Sequence, residues 1–298
     1  MKTILKLLIP KFIFIIKGLL QGEVGRVKMC FFRLPTAQLL EEKIIIVGNG
    51  PSLKISYDKY LDVLKRNPCL VVNNFVNSAY FEKIAPKYYL LADPSYFKEI
   101  SKLSERLKKV VGDLIEGLKE KVNWSMVLIV PLTARNSEFY RTVKTNSNIR
   151  FMFYNNQGGT YGFPNCGVKF ALWNYGILSP LAQTVLNTAI SLSVSSKVHD
   201  IFIIGADTSW HENYELDQQT NQLYCKDTHF YGNAKFPMYE DAEHCVSQKI
   251  HNELRMASIA LESYWTLKAY AIYNHVNIYN ASSYSWIDAF TRKQLNNI

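Results

Sequence analysis

Polar residues follow three consecutive apolar runs in the first third of the chain. The first run ends in a glycine turn, the second in an asparagine and the third in an aspartate: Gly48, Asn49, Gly50, Pro51 and Ser52, then Asn73, then Asp93. Amide and carboxylate groups hydrogen-bond readily to ribose hydroxyls, base edges and phosphate oxygens. Glycines let the backbone turn sharply and come close to a ligand. The pattern favours a nucleotide site, and turn formation without a ligand is the alternative interpretation.

The glycine turn differs from the two familiar phosphate-binding loops. The third glycine of GxGxxG is missing and no acidic residue closes the second apolar run, which argues against dinucleotide binding. No GK[ST] follows, so the turn is not a P-loop. Ser52 is suited to cap a short helix, whose N-terminus would favour an anion.

A polar segment at 208–246 carries groups suited to proton transfer. It is rich in His, Tyr, Asn and Asp and lacks strong periodicity. A loop of that length in a compact domain is usually functional and often forms a lid. His229 is our first candidate for a base and His211 the second, because imidazole titrates near neutral pH. Asp207 and Glu212 are alternative candidates for the base, because carboxylates can also accept the proton. The sequence contains no DxD motif, so it gives no indication of a metal ion.

Short apolar runs predict the strands that position these residues. They lie at 43–48, 69–73, 87–92, 125–130, 149–154, 200–205 and 276–280. Each is continuously apolar rather than alternating, as expected for strands covered on both faces. Helical patterns lie between them, most clearly at 95–121 and 247–274. We therefore predict an α/β domain over 31–298 with one mainly parallel, doubly wound, Rossmann-like sheet. Ligands bind such sheets at the carboxyl ends of the strands, where Gly205 and Asp207 also lie.

The first 30 residues have a different composition. The segment is apolar but carries Lys2, Lys6, Lys11 and Lys17, with Pro10 among them. A spanning helix needs about 20 nearly uncharged apolar residues, and no small-residue cleavage site of a signal peptide follows. Spaced lysines in an apolar segment favour an amphipathic helix in the interface of an anionic membrane. Packing on the core and true spanning are the alternatives, and removal of 1–30 is expected to leave a soluble, folded core.

The net charge and the cysteine spacing indicate which binding partners and which stabilising groups the protein could have. The net charge is +9, which indicates an anionic partner such as a membrane surface or a phosphorylated small molecule. No nucleic-acid-binding motif accompanies the lysines, so we do not expect nucleic acid as a partner. The five cysteines include no CxxC pair, which argues against a disulfide framework or a zinc site.

Several motifs resemble the bacterial sialyltransferases of glycosyltransferase family forty-two and related surface-carbohydrate proteins. The similar blocks are IIIVGNGPSLK, VVNNF, ADPSYF, IFIIGAD and IYNASSYSWIDAF, spread over roughly 43–290. The resemblance implies a single-sheet variant of the GT-A fold with a lid over the nucleotide. It also implies inverting, metal-independent transfer of a sialic-acid-like sugar from a CMP-linked donor, without a cofactor.

The resemblance assigns roles residue by residue. Asn49 and Asn73 stand where the family contacts the nucleotide, and Asp93 replaces an asparagine there. Gly205 and Asp207 match a GxD strand end, and Tyr214 stands where a tyrosine holds the leaving phosphate; Ser209 or Trp210 occupies the place of the second such tyrosine. His229 belongs to the lid motif, whereas Asn233 replaces the family's catalytic histidine and Ala182 lies near the position of its arginine.

The implied acceptor is a bacterial surface glycan or glycolipid, such as lipooligosaccharide, O-antigen or capsule. The expected location is peripheral, on the cytoplasmic face of the inner membrane, and self-association into a homo-oligomer is left open. Two alternatives remain: transfer from another nucleotide-sugar donor, and a non-catalytic glycan-assembly protein that retains the nucleotide pocket.

Overall fold

The protein contains one eight-stranded parallel sheet with helices on both faces, as predicted from the apolar runs. The computed structural model describes residues 2–158, 163–180, 184–229, 232–241, 246–296 and 298; it describes no side chains for 2–12, 227–229, 232–234 and 241. The strands are β1 Lys43–Val47, β2 Cys69–Val72, β3 Tyr88–Leu90, β4 Met126–Pro131, β5 Ile149–Tyr154, β6 Asp200–Ile204, β7 Tyr214–Leu216, β8 Leu223–His229, β9 Gly232–Pro237, β10 Tyr239–Asp241, β11 Val246–Ser247, β12 Asn277–Asn280 and β13 Thr291–Arg292.

The order of strands creates a reversal at the centre of the sheet. The order is β13-β12-β6-β1-β2-β3-β4-β5, and β1 pairs in parallel with both β2 and β6. The chain builds outward from β1 to β5 and then returns to form β6 on the opposite side of β1. The carboxyl ends of β1 and β6 therefore flank a topological switch point, which is where ligands bind in open α/β sheets.

Both faces of the sheet are buried, which explains the unbroken apolar runs. In β1, Ile45 and Val47 belong to one hydrophobic core, while Ile44 and Ile46 belong to the other. The helices are α1 Lys2–Phe31, α2 Leu53–Arg66, α3 Phe81–Ile84, α4 Glu105–Glu120, α5 Glu138–Val143, α6 Gly167–Asn174, α7 Val185–Ser195 and α8 Ile250–Tyr273. Helices α2 to α5 cover the first face, and α6 to α8 cover the second.

One predicted helix begins later than expected. The pattern at 95–121 predicted a single helix, but only α4 is α-helical there, and two short 3-10 turns precede it. Asp93 accepts a hydrogen bond from the backbone N–H of Ser95 at 2.8 Å, and Pro94 begins the first turn. Ser104 then caps α4 by accepting from the N–H of Leu107 at 3.4 Å. These local side-chain bonds start new turns and interrupt the helical pattern.

The segment at 208–246 has regular structure that its lack of periodicity did not predict. Strands β7, β8 and β9 form an antiparallel sheet, and β10 pairs with β11. Lys226 and Lys235 stand opposite each other on β8 and β9. Glu215 on β7 forms ion pairs with both, at 2.9 and 2.8 Å, which neutralises the repulsion across the strands.

The N-terminal helix is attached to the domain through its second half. Asn155 donates a hydrogen bond from Nδ2 to the carbonyl of Gly22 at 2.9 Å. A Cβ on Gly22 would lie 1.7 Å from the carbonyl oxygen of Ile177, and one on Gly25 would lie 2.2 Å from Oδ1 of Asn155. Met29 belongs to the buried core. The expected boundary near residue 30 lies at the end of α1, and the second half of this helix packs on the domain. No helix in the described part of the chain is long and apolar enough to cross a bilayer.

Candidate functional site

A cavity of about 880 Å³ lies where the strand order reverses. The carboxyl ends of β1, β2 and β6 and the turn after β3 contribute six of the residues predicted for the site, which are Asn49, Gly50, Asn73, Asp93, Gly205 and Asp207. The predicted convergence of strand ends on one pocket is therefore present in the structure. The volume is in the range of pockets that hold small molecules and cofactors.

Asp207 is bound to the glycine turn rather than free in the cavity. Its Oδ2 accepts a hydrogen bond from the backbone N–H of Ser52 at 2.9 Å, and its Oδ1 accepts one from the Ser52 hydroxyl at 2.6 Å. The side chain is only 5% exposed. Burial raises the pKa of the Asp207 carboxyl, the two hydrogen bonds from Ser52 oppose the rise, and the neighbouring Glu212 adds to it. We call this contact the Asp207–Ser52 pair.

Because of the Asp207–Ser52 pair, the start of α2 does not present Ser52 to a ligand as the sequence predicted. Ser52 was expected to present the N-terminus of this helix to a ligand anion, but it is buried and does not line the cavity. The backbone N–H of Ser52 is already bonded to the carboxylate of Asp207. Gly48 also lies behind the lining residues. The glycine turn thus contributes Asn49, Gly50 and Pro51 to the cavity wall.

Close approach explains the glycines on both sides of the reversal. A Cβ on Gly50 would lie 2.1 Å from Oδ1 of Asp207 and 2.8 Å from the carbonyl oxygen of Gly205. Gly205 has φ of +60°, a conformation that L side chains rarely adopt. The N–H of Gly50 donates to the carbonyl of Gly205 at 2.9 Å. The two strand ends are therefore packed backbone to backbone.

The two predicted asparagines link the first three strand ends. Asn49 donates from Nδ2 to the carbonyl of Val72 at 3.0 Å. Asn73 has φ of +48°, a left-handed conformation that asparagine tolerates better than most residues. Its Oδ1 accepts from the N–H of Ala92 at 3.5 Å, and its carbonyl accepts from the hydroxyl of Tyr89. These bonds hold both side chains at the cavity wall.

The segment at 208–246 supplies one side of the cavity. Its described lining residues are Thr208, Ser209, Trp210, Asn213, Cys225 and Lys226. Ser209 and Trp210, which stand where the resembled family has a second tyrosine, therefore face the pocket. Lys226 is the one cation among the described lining residues, and it is paired with Glu215.

The predicted catalytic residues are not all brought to the cavity. The Tyr214 hydroxyl donates to Oε2 of Glu253 at 3.1 Å, and Tyr214 is not among the lining residues. Burial raises the pKa of Tyr214, and the neighbouring Glu253 carboxylate raises it further. The Tyr214 hydroxyl therefore stays protonated at neutral pH. His229 ends β8 opposite Gly232, but its side chain lies outside the described ones. The Asn233 side chain and the whole of Ala182 lie outside them too.

A second carboxylate stands beside the cavity on an aromatic cluster. Oε1 of Glu212 accepts hydrogen bonds from the Tyr284 hydroxyl at 2.6 Å and from Nε1 of Trp286 at 3.0 Å. The His211 ring meets Trp286 edge to face at 4.4 Å. The backbone N–H of Trp286 donates to the carbonyl of Asp207 at 2.9 Å, which ties the cluster to the strand end. Tyr284 and Trp286 remain 45% exposed.

Sequence reasoning missed the opposite wall of the cavity. Thr184, Thr188, Ser191 and Ser195 line it along α7, and Asn155 and Asn156 line it after β5. The four hydroxyl residues recur at helical spacing, a signal that the sequence carried. Thr184 also caps α7 in a capping box with Asn187. Three described lining residues, Asp93, Asp207 and Lys226, are acidic or basic, so most of the polar wall is uncharged hydroxyl and amide.

Metal-ligand geometry is not found in the described residues. No group of three or more His, Cys, Asp or Glu side chains among them is arranged to hold a metal ion.

Comparisons with known proteins add a likeness in fold. No protein-family model matches the chain, and no curated protein matches its sequence. Among solved structures, the chain is similar to the MAf glycosyltransferase from Magnetospirillum magneticum AMB-1, with a TM-score of 0.49 and 16% sequence identity. The match covers 89% of this chain and 35% of that chain. A likeness at this level does not identify an activity, and the resemblance to family forty-two stays a prediction.

Proposed function

We propose that the chain is an inverting, metal-independent glycosyltransferase that uses a CMP-linked, sialic-acid-like donor. The observation that carries the proposal is the convergence of Asn49, Asn73 and Asp93 on one cavity at the switch point between β1 and β6. Amide and carboxylate groups there can bind ribose hydroxyls and the edge of a pyrimidine base. The motif resemblance supplies the identity of the donor.

The chemistry of the cavity wall supports a sugar ligand with a modest negative charge. Thr184, Thr188 and Ser191 provide neutral hydroxyls that can exchange hydrogen bonds with sugar hydroxyls. The described wall has one cation, Lys226, and it is already paired. A departing nucleoside monophosphate carries less charge than a diphosphate and needs fewer cations for its stabilisation.

The reaction requires a base and a stabilised leaving group. As the base removes the acceptor hydroxyl proton, the acceptor oxygen bonds to the anomeric carbon of the donor. The bond from that carbon to the phosphate oxygen breaks on the opposite face, and CMP leaves with the bonding electron pair. His229 is the proposed base because of its lid motif. The Asp207–Ser52 pair favours a positioning role for Asp207, and Glu212 is the carboxylate alternative.

The proposed acceptor is a glycan or glycolipid of the bacterial surface, glycosylated at the cytoplasmic face of the inner membrane. Acceptor and location are both part of the proposal, because they come from the resemblance.

A second candidate is a non-catalytic protein that keeps the nucleotide pocket. Two observations favour it: both carboxylate oxygens of Asp207 accept hydrogen bonds from Ser52, and Tyr214 donates to Glu253 rather than facing the pocket. Transfer from another nucleotide-sugar donor is the remaining alternative.

Isothermal titration against CMP, UDP, GDP and NAD, with EDTA or Mg²⁺, tests the proposal. We expect CMP to bind without Mg²⁺. Asn49→Ala should weaken that binding by about 1–3 kcal/mol, the cost of unpairing a buried polar partner. Asn277→Ala is the matched control, because Asn277 also donates a side-chain hydrogen bond, to Asp200, but at the amino ends of the strands.

Two results separate the candidates. Mg²⁺-dependent binding of UDP or GDP with no response to CMP would refute the CMP-linked donor. CMP binding without release of CMP from CMP-sialic acid, in the presence of glycan acceptors, would favour the non-catalytic candidate.

A further inference from the structure

Most of the described large apolar side chains of the N-terminal helix α1 are exposed to solvent. Six of them lie on one side of the helix and are exposed to solvent, and together they form what we call the outward face: Ile13, Ile16, Leu20, Val24, Val27 and Phe31. Val24 and Val27, near the middle of this face, are 54% and 56% exposed. An exposed apolar surface of this kind on a soluble domain marks a site of association.

The side of α1 that packs on the domain is built from three glycines and one methionine. Gly18, Gly22, Gly25 and Met29 are its buried positions. At 100° per residue, these positions lie on the side of the helix opposite the outward face. The helix thus reverses the usual pattern, in which the apolar stripe faces the core. Its attachment to the domain does not use the outward face, which remains available for a partner.

The charge around the outward face indicates what that partner is. Residues 1–33 contain seven basic residues and one acidic residue, so they carry +6 of the net charge of +9. The one acidic residue, Glu23, is paired with Arg26 at 3.1 Å. Lys17 and Lys28 are exposed beside the outward face. A second copy of the chain on the same face would bring two such charged segments together, which is unfavourable.

We propose that the outward face of α1, with its flanking cations, binds the surface of an anionic lipid bilayer. The apolar side chains enter the boundary between headgroups and acyl chains, and the lysines contact anionic headgroups. This binding does not depend on the proposed transfer reaction.

The attachment of α1 also fixes how the cavity stands relative to such a bilayer. Asn155, a lining residue of the cavity, donates from Nδ2 to the carbonyls of Gly22 and Gly176, each at 2.9 Å. The helix is therefore held directly on the cavity wall. Bilayer binding through the outward face would keep the cavity close to the membrane surface.

Vesicle co-sedimentation of the full-length chain tests the proposal. The probes are vesicles of phosphatidylcholine alone and vesicles with about 30 mol% phosphatidylglycerol. We expect binding to the anionic vesicles, weakened at high salt because exposed charges are screened. Val24→Asp with Val27→Asp should reduce the partition coefficient roughly 10-fold or more per site, because each valine loses its burial in lipid. Lys17→Glu with Lys28→Glu should reduce it roughly 5-fold or more per site.

Ile55→Asp is the matched control, since Ile55 is a β-branched apolar residue that is 63% exposed on a different helix, α2. It should bind vesicles like the wild type, and circular dichroism would verify that all variants are folded. Equal binding by the Val24→Asp, Val27→Asp variant and the control would overturn the proposal. So would a wild-type dimer in sedimentation velocity that this variant dissociates, without vesicle binding, because the outward face would then be an interface between copies. CMP titration of the same preparations reports separately on the proposed function.

Discussion

The Asp207–Ser52 pair joins the strand ends on both sides of the reversal, and its removal should be costly. In Asp207→Ala, the buried backbone N–H and hydroxyl of Ser52 lose their acceptors at 2.9 and 2.6 Å. Hydrogen bonds to a charged group are worth about 1.5–3 kcal/mol each. Relief from burying the carboxylate offsets part of this loss, as the raised pKa of Asp207 indicates. We expect the free energy of unfolding to fall by roughly 2–4 kcal/mol.

Urea unfolding and thermal melts of matched variants measure this effect. Asp207→Asn keeps the shape: its amide oxygen can accept from the Ser52 N–H, and its amide group can donate to the Ser52 hydroxyl. It should lose less than half as much stability as Asp207→Ala. Ser52→Ala removes the hydroxyl bond alone and should cost about 1 kcal/mol. An Asp207→Ala variant as stable as the wild type, with unchanged affinity for CMP, would refute the positioning role.

The same variants give a pH dependence of defined sign. Because burial raises the pKa of folded Asp207 above its unfolded value, the carboxyl group contributes stability below the unfolded pKa. That contribution is lost as the pH rises through the folded pKa. The stability of the wild type relative to Asp207→Asn should therefore decrease from about pH 4 upward, and then become constant. If the stability of the wild type relative to Asp207→Asn instead increased with pH in this range, the raised pKa of Asp207 would be contradicted.

The remaining predictions concern the turn, the base and the N-terminal helix. Gly50→Ala should lower the free energy of unfolding by about 1–3 kcal/mol in urea melts because its Cβ meets Asp207; Gly112→Ala in α4, where a Cβ meets nothing within 4 Å, should be neutral or stabilising. His229→Ala should lower kcat roughly 10²–10⁴-fold with little change in CMP affinity, and Glu212→Gln less than about 10-fold; the reverse order in steady-state kinetics would transfer the role of base to Glu212. Deletion of residues 1–30 removes buried Met29, so thermal melts should show a loss of about 2 kcal/mol or more in the free energy of unfolding.

The amino-acid pattern alone is sufficient to predict the class of the fold and the first wall of the site. All seven predicted strands are present, because a strand covered on both faces must be apolar at every position, and that signal is local. The positions of the strands in turn predict that three polar residues cluster, because parallel strands place their carboxyl ends at one edge of the sheet. These residues are Asn49, Asn73 and Asp93, which line the cavity. The hydroxyl residues along α7, from Thr184 to Ser195, also recur at helical spacing, which is a local signal. The helix that carries them was not predicted from the sequence, so this wall of the cavity was not predicted either.

The order of the strands and the partners of the polar groups depend on contacts between residues far apart in the chain. The pairing of β6 with β1 brings Asp207 to Ser52 across 155 positions, and no local period encodes that contact. The same holds for Tyr214, whose hydroxyl meets Glu253 on α8 instead of the cavity. In α1, composition indicated an amphipathic segment, but which face is buried depends on the surface it meets. Ile177 and Asn155 approach too closely for any side chain, so glycines face inward there and most of the large apolar residues remain outside.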